Sequence, residues 1–401
     1  MDSASAGRFF YVPAVPAQTI LLTGGRAPVA LDLARHFAGA GCRVVVAESM
    51  AWPLTRSSRA VARSVRVPPP RQQPEAFLDA VERLVREESA ALVVPTCEET
   101  FVLARGLARG LPVFTSAPET LVRLHDKGRF ALAAAAAGVA VPETHRAESP
   151  EALAPFLTDA WVIKPAFSRF GTEALVPPHR AGPVRACPAG SPGPRLAALR
   201  PSPERPYVAQ RFVAGRQVCT TSVAWAGRIV AHAAYGTPYV AGHAGVWFRA
   251  EAHPAAFDAA QRLVAAERFT GQIALDLIET PDGRVQAIEC NPRATSGLHL
   301  FRGDPAFASA FLDSAALAVL LVPAGADAML AGPMLAAGAE RAFDARWRAA
   351  FASARDAVWD AADPWPAAGQ VITAATFLAR ALRHRISPLA ATTHDIEWNG
   401  E

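Results

Sequence analysis

Lysine is almost absent from this 401-residue chain. Of its 40 basic residues 38 are arginine, and only Lys127 and Lys164 are lysine. A chain that meets its general need for positive charge with arginine keeps a lysine either by drift or where a compact ammonium is required. Binding nucleotide phosphates as a point charge is one such place. Cysteine is also scarce: the five residues Cys42, Cys97, Cys187, Cys219 and Cys290 are odd in number and show no CxxC spacing. That points to free thiols in a reducing compartment rather than a disulfide framework or a zinc site. Like charges form no block, and a net charge of +4 with a pI near 9.0 is mild. A nucleic-acid footprint is therefore not expected, while an anionic small substrate remains compatible. The first residues lack a basic stretch ahead of an apolar one, so no signal peptide is expected. The most apolar run, around 315–322, is far too short to span a membrane. The expectation is a soluble cytoplasmic protein with neither membrane nor nucleic acid as partner.

Apolar residues make up 51% of the chain and charged residues 19%, which suits a well-buried globular protein of two to four domains. The first section alternates strand and helix. An apolar strand over 19–23 meets the turn Gly24-Gly25. Pro28 is placed to open a helix, on which Val29, Leu33 and Phe37 recur every four residues. Strands over 43–47, 91–94 and 112–114 and a helix over 74–88 complete a βαβ series. A parallel sheet with helices on both faces is expected. Helix then returns over 130–137, followed by strands at 161–164 and 173–176. Residues 177–206 hold nine prolines and read as an irregular insertion without catalytic residues. Strands are expected at 207–213, 218–226, 228–235, 273–279 and 284–291, with helix at 254–267 and mostly helix from 326 onward.

The sharpest constellation is Ile273-Ala274-Leu275-Asp276-Leu277-Ile278-Glu279, a turn Thr280-Pro281-Asp282-Gly283, and Arg284-Val285-Gln286-Ala287-Ile288-Glu289-Cys290-Asn291-Pro292-Arg293. Asp-Gly between two apolar runs signals a hairpin. Glu289 and Asn291 share a face because strand side chains alternate. If the loop has an even count, Asp276 joins that face, opposite Glu289 or diagonal to it. Three oxygen donors on one patch suit magnesium, which takes a few carboxylates with phosphate and water oxygens. Arg293, just past the strand, is placed to clamp a transferring phosphoryl group. A solvated outer face would explain Glu279 and Asp282, but it explains Asp276 poorly, since Asp is disfavoured inside strands.

These residues resemble the ATP-grasp superfamily. The stretch from Phe269 to Asp276 with Glu289-Cys290-Asn291-Pro292-Arg293 is similar to its metal-binding signature. Lys127 resembles the basic residue that opens the family's nucleotide domain, and Lys164 its strand-borne lysine. Ser168-Arg169-Phe170-Gly171-Thr172 occupies the place of the phosphate-covering loop, and Gln210-Arg211-Phe212-Val213 that of the adenine-reading hinge. The resemblance covers about 116–300. It implies an α/β (α+β ATP-grasp) fold. The N-terminal parallel Rossmann-like sheet would span 1–115. A nucleotide domain in two parts would follow, 116–206 (with the insertion 177–206) and 207–325, and a helical extension would end the chain over 326–401. It also implies ATP and Mg2+ as cofactors. Asp276, Glu289 and Asn291 would hold the metal, Lys127 and Lys164 the phosphates, and Arg293 the transferred group, with Lys164 and Arg293 closest to the chemistry. Ser168, Gly171, Gln210, Arg211, Phe212, Val213 and Gln217 would line the nucleotide. Gly242-His243-Ala244-Gly245 is loosely similar to a histidine loop of carbamoyl-phosphate synthase-like members, which leaves His243 either near the reacting groups or structural. The family pattern often has more glycine in the phosphate loop, and a glutamate where Arg211 and Gln217 stand. A homodimer is the assembly the resemblance suggests.

Other signals point to the second substrate. Gly24-Gly25 with Glu48 after the next strand mimics a dinucleotide site but lacks its third glycine, so a turn lining the substrate side is the better reading. Thr96, Glu98 and Glu99 follow a buried strand, where they are either contacts to a substrate amine or acids of a helix start. Ser296 and His299, beside Arg293, are candidates for the carboxylate to be activated. The segment 392–401 is rich in polar and aromatic groups and either folds back on the body or frays. The activity these readings imply is an ATP-dependent ligase that activates a small-molecule carboxylate as an acyl phosphate for attack by an amine, releasing ADP and phosphate. Bicarbonate activation, or nucleotide binding without turnover, is the alternative.

Overall fold

Along β1 (Thr19–Thr23) successive side chains point to opposite faces, and the two faces are buried against different helices. Ile20 and Leu22 pack with Val29, Leu33 and Phe37 of the helix Pro28–Gly39, while Leu21 packs with Phe77, Leu78 and Val81 of the helix Pro74–Glu87. The computed structural model describes residues 18–158, 160–169, 174–176, 199–241, 244–315 and 318–400. β1 pairs in parallel with β2 (Arg43–Glu48) and with β4 (Ala90–Val94), and β3 (Arg63–Arg66) flanks β2. The order β3-β2-β1-β4 places the reversal of winding between β1 and β4, the crevice where such sheets bind ligands. The run expected as a strand at 112–114 forms a single bridge, Val93 to Val113, and no full strand.

The turn after β1 needs its glycine. Gly24 has φ +69°, and an added Cβ would fall 2.4 Å from Thr96 Oγ1. Gly24→Ala is expected to cost about 1–3 kcal/mol of stability, read as a lower denaturation midpoint.

A three-stranded antiparallel sheet, β5 (Thr144–Ala147), β6 (Trp161–Pro165) and β7 (Tyr207–Arg211) in the order β5-β7-β6, carries Lys164 and Gln210. The expected strand at 173–176 contributes one bridge from Leu175 to Ile163, and Glu173 lies outside the described residues. So does the insertion as far as residue 198.

The largest sheet has eight strands. β8 (Arg216–Trp225), β9 (Arg228–Ala241), β10 (Ala244–Glu251), β11 (Gly271–Glu279) and β12 (Val285–Asn291) make its body. β13 (Leu320–Leu321), β14 (Asp327–Met329) and β15 (Arg355–Asp356) extend it, the path being β12-β11-β8-β9-β10-β14-β15 with β13 beside β9. β9 runs longer than its sequence pattern indicates, and β10 has no counterpart among the expected strands. Val218, Ile229, Ile273, Leu275, Leu277 and Ala287 cover the face that meets the helix Pro254–Ala266. The other face is shared between apolar packing, through Val223, Ala233, Tyr235 and Phe248, and the polar row that carries Asp276, Glu289 and Asn291.

The tail is mostly helical, through Ala331–Glu340, Ala345–Ser353, Trp365–His384 and Pro388–Thr393. Its last described residues fold back onto the body. Among the described residues no helix is long and apolar enough to cross a membrane.

Candidate functional site

The hairpin loop has an odd count: Glu279 pairs with Val285, leaving 280–284 between them. In a regular ladder this register would set Asp276 against Ile288 and Glu289 on the other face. A bulge corrects it. Leu277 pairs with Ala287, whereas Asp276 pairs with Glu289 and Ala274 with Asn291. The extra residue, Ile288, brings Asp276, Glu289 and Asn291 to one face, as bulges beside functional sites do. Its carbonyl accepts from Lys164 Nζ at 3.2 Å and from Gln210 Nε2 at 3.4 Å. The same irregularity thus aims the carboxylates and anchors the ammonium group. The row continues across the sheet, with Cys219 opposite Asp276 and Tyr235 opposite Cys219.

Lys127 is the first residue of the helix Lys127–Ala136, and Asp126 caps it by accepting from the Gly128 and Arg129 amides. Lys127 Nζ lies 3.3 Å from Glu289 Oε1 and donates to the Ser168 carbonyl at 3.1 Å. Lys164 Nζ also donates to Gln210 Oε1 at 3.0 Å. Both lysines are buried. Asp126 is fully buried as well and accepts from Arg146 Nε at 3.2 Å. Asp126→Ala is expected to cost about 1–2 kcal/mol and to loosen Lys127 at the helix start. Thermal melts of the variant and the wild type check the stability loss.

Burial, helped by Glu289, pushes the Asp276 carboxyl up. Burial would also raise Glu289, but Lys127 and Lys164 overcome it and hold that carboxyl below its ordinary value. Burial lowers the Lys164 ammonium to about 8, with Glu289 opposing the shift. Two facing carboxylates and two buried ammonium groups set charge of opposite sign side by side in one site. A divalent cation and a polyphosphate complete such an arrangement. Among the described residues no three His, Cys, Asp or Glu side chains gather as a metal cluster. Two carboxylates and the Asn291 amide instead fit a hard cation that keeps water and phosphate oxygens.

Arg293 Nη2 donates to Asn291 Oδ1 at 3.2 Å, Nη1 donates to the Ala294 carbonyl at 3.1 Å, and Nε lies 3.5 Å from Glu98 Oε1. At the hinge the Arg211 amide donates to the Glu143 carbonyl and the Phe212 amide to the Ala160 carbonyl. The Arg211 guanidinium lies over the Trp161 ring at 5.5 Å. Gln217 Nε2 reaches Cys219 Sγ at 3.7 Å. Asn291, Arg293, Arg211, Phe212, Val213, Gln217 and Ser168 border one cavity of about 1780 Å³. That exceeds an ordinary single-ligand pocket of about 300–1,000 Å³ and leaves room for a nucleotide and an acceptor together.

The far side of the same cavity is lined by Arg26, Thr96, Ser296 and His299. His299 Nδ1 and Asp32 Oδ2 are 2.5 Å apart, so the ring is fixed from the helix Pro28–Gly39. Glu98 meets protein groups instead of open cavity: it accepts from Arg169 Nε at 2.9 Å and from the Trp398 amide at 2.9 Å. Burial would raise its carboxyl, yet Arg169 and Arg293 hold it at about 2. Glu99 accepts from Thr23 Oγ1 and from the Thr96 and Cys97 amides, which makes it part of the turn. Glu48 is taken by the Arg26 amide and guanidinium and is not open to a ribose. Gly171 and His243 lie outside the described residues.

Sequence reasoning missed the Arg26 cluster, the row through Cys219 and Tyr235, and buried His125, which burial pushes down to about 4. Arg26 directly follows the Gly-Gly turn, a signal that pointed to this edge. Nothing local announces Cys219, because its place beside Asp276 depends on pairing between strands far apart in the chain.

No family model matches the sequence, and no curated protein matches it. Solved structures do resemble the fold. An ADP complex of N5-carboxyaminoimidazole ribonucleotide synthetase is 15% identical, with a TM-score of 0.59 over 78% of this chain and 81% of that one. L-amino acid ligase from Bacillus licheniformis is 17% identical, with a TM-score of 0.51 over 73% and 68%. Phosphoribosylamine–glycine ligase from Thermotoga maritima is 15% identical, with a TM-score of 0.58 over 77% and 78%. The chain has the ATP-grasp fold.

Proposed function

We propose that this chain is a cytoplasmic ATP-dependent ligase that joins a small-molecule carboxylate to an amine, forming ADP and phosphate. The observation that carries the reading is the bulged register that sets Asp276 against Glu289, beside Asn291 and within reach of Lys127. Asp276, Glu289 and Asn291 would hold Mg2+, which when bound supplies charge neutralisation for the phosphates. Lys127 and Lys164 hold the ATP phosphates as point charges. Ser168, Gln210, Arg211, Phe212, Val213 and Gln217 would border the nucleotide, and Gly171, outside the described residues, is assigned to it from the sequence. A carboxylate oxygen of the acid attacks the γ-phosphorus, and the bond from that phosphorus to the β–γ bridging oxygen breaks, releasing ADP. Arg293 stabilises the charge on the moving phosphoryl group. The amine nitrogen then attacks the acyl carbon, the carbon–oxygen bond to phosphate breaks, and the amine proton passes to solvent. Ser296, His299 and His243 are assigned to the acid and amine. Catalysis of this kind is mostly positioning and charge stabilisation, which rigid strands and buried lysines supply.

Phosphate release with pooled carboxylates and amines, followed by mass identification of the product, tests this. An amide-forming product that requires both pools is expected. ATP turnover that depends on bicarbonate alone would contradict it, as would ATP binding with no phosphate release across the pools.

A further inference from the structure

Residues 392–400 lie against the candidate site. Trp398 stacks on Phe101 with centroids 4.5 Å apart and planes 11° from parallel, and meets Phe167 edge-on at 5.2 Å. Asp395 accepts from Arg26 at 2.5 and 3.0 Å and from Ser49 Oγ at 2.6 Å, and Arg380 pairs with it too. Glu397 accepts from Arg169 at 3.0 Å and pairs with Arg71. Arg169 also donates to the Trp398 carbonyl at 2.9 Å and to Asn399 Oδ1 at 3.2 Å. The tail therefore grips the residue that follows Ser168, whose carbonyl holds Lys127.

These contacts converge on Glu98, a buried carboxylate between Arg169 and Arg293. Its third partner is the main-chain amide of Trp398. We propose that the C-terminal segment 395–399 is a positioning element of the active site, acting through Glu98 on Arg293 and Arg169. The inference rests on the ligase reading above. A carboxylate shared by two guanidinium groups can pivot toward either one. The Trp398 amide is a fixed donor, because its ring is pinned on Phe101 and Asp395 is pinned by Arg26. With the donor in place, Glu98 sets where Arg293 stands relative to Asn291. Without it, Glu98 is free to turn toward Arg169, and Arg293 keeps only Asn291 and the Ala294 carbonyl as fixed partners. A misplacement of about 1 Å at a charge-stabilising group can cost about a hundredfold in rate. No described contact joins the tail to Lys127 or Lys164 directly, and it reaches them only through Arg169 and the Ser168 carbonyl, so nucleotide affinity should fall by less than kcat does.

The test uses the full chain, a chain ending at Ile396, Glu98→Gln, and the two changes combined. Phosphate release on the pooled acids and amines should fall at least about tenfold in kcat for either single change. The loss of Mg·ATP affinity by calorimetry should be smaller than the loss in kcat. The loss in the combined variant should be smaller than the product of the two single losses, because the two changes share the contact between the Trp398 amide and Glu98. Hydrogen exchange of the peptides over 98–104 and 161–169 should speed up in the shortened chain. Unchanged kcat, rate losses that multiply in the combined variant, or unchanged exchange would each overturn the proposal. If the shortened chain does not fold, Trp398→Ala in the full chain is read in the same assays, with the same result expected. A wild-type chain that releases no phosphate would overturn the ligase reading instead, and the exchange comparison would still decide whether the tail holds the Glu98 segment.

Discussion

Glu289→Gln should lower the rate of ADP formation by a factor of about 10²–10³ while leaving the protein folded. Glu289 is the residue where the functional groups meet. It faces Asp276 across the hairpin, lies 3.3 Å from the Lys127 ammonium, and shares its strand face with Asn291. Glutamine keeps the size and the carbonyl oxygen but removes the charge that a hard cation requires. Stability should change by less than the rate does, because the substitution also removes the repulsion that pushes Asp276 up. The melting temperature and the rate of phosphate release, measured on the same preparation, separate the two effects. Near-normal turnover in this variant would remove the metal role of the hairpin.

Lys164→Met should raise the dissociation constant for ATP by a factor of about 10–100, as expected when a buried charge partner of a polyphosphate is lost. Arginine should not rescue it, because Lys164 Nζ fits between Gln210 Oε1 and the Ile288 carbonyl as a compact donor. The wild-type chain should also show opposite trends with pH. Burial holds this ammonium at about 8, below its value in the unfolded chain. As pH rises through about 8 the folded protein loses the proton first, and the charge that binds phosphate goes with it. ATP affinity should therefore weaken above that pH. Over the window from about 8 up to 10.5, the ordinary lysine value, the unfolded chain binds more protons than the folded one. This group's contribution to stability therefore rises with pH across that window. Below it the burial penalty on the charged form is felt in full. Chemical denaturation without nucleotide or divalent cation, compared with Lys164→Met, isolates the term. A variant with the same pH slope as the wild type would show that Lys164 is not the group responsible.

Much of the candidate site can be read from the chain because its donors sit on one hairpin. Two-residue alternation puts Glu289 and Asn291 together from local sequence alone. The position of Asp276 was legible only on a condition, an even loop, that the structure does not meet. The bulge at Ile288 restores the face, and a bulge leaves no reliable mark in composition. The scarcity of lysine drew attention to Lys127 and Lys164, and both lie in the cavity with the carboxylates. Glu98 was legible as a residue at the end of a buried strand, but its partners were not. Arg169, Arg293 and Trp398 come from three distant stretches, and only the packing of the tail brings them to one carboxylate. β10 went unread because Ala244-Gly245-Val246-Trp247-Phe248 lacks clean alternation, and its pairing with β9 is itself interrupted by shifts of register.

The central claim is that the hairpin face receives a divalent cation together with ATP. The most direct test is a crystal structure with Mn2+ and a non-hydrolysable ATP analogue, read by anomalous scattering. The account predicts a metal peak about 2.0–2.3 Å from oxygens of Glu289 and Asn291, with the triphosphate between it and Lys127 and Lys164. A nucleotide bound elsewhere, or metal peaks away from Asp276, Glu289 and Asn291, would contradict it.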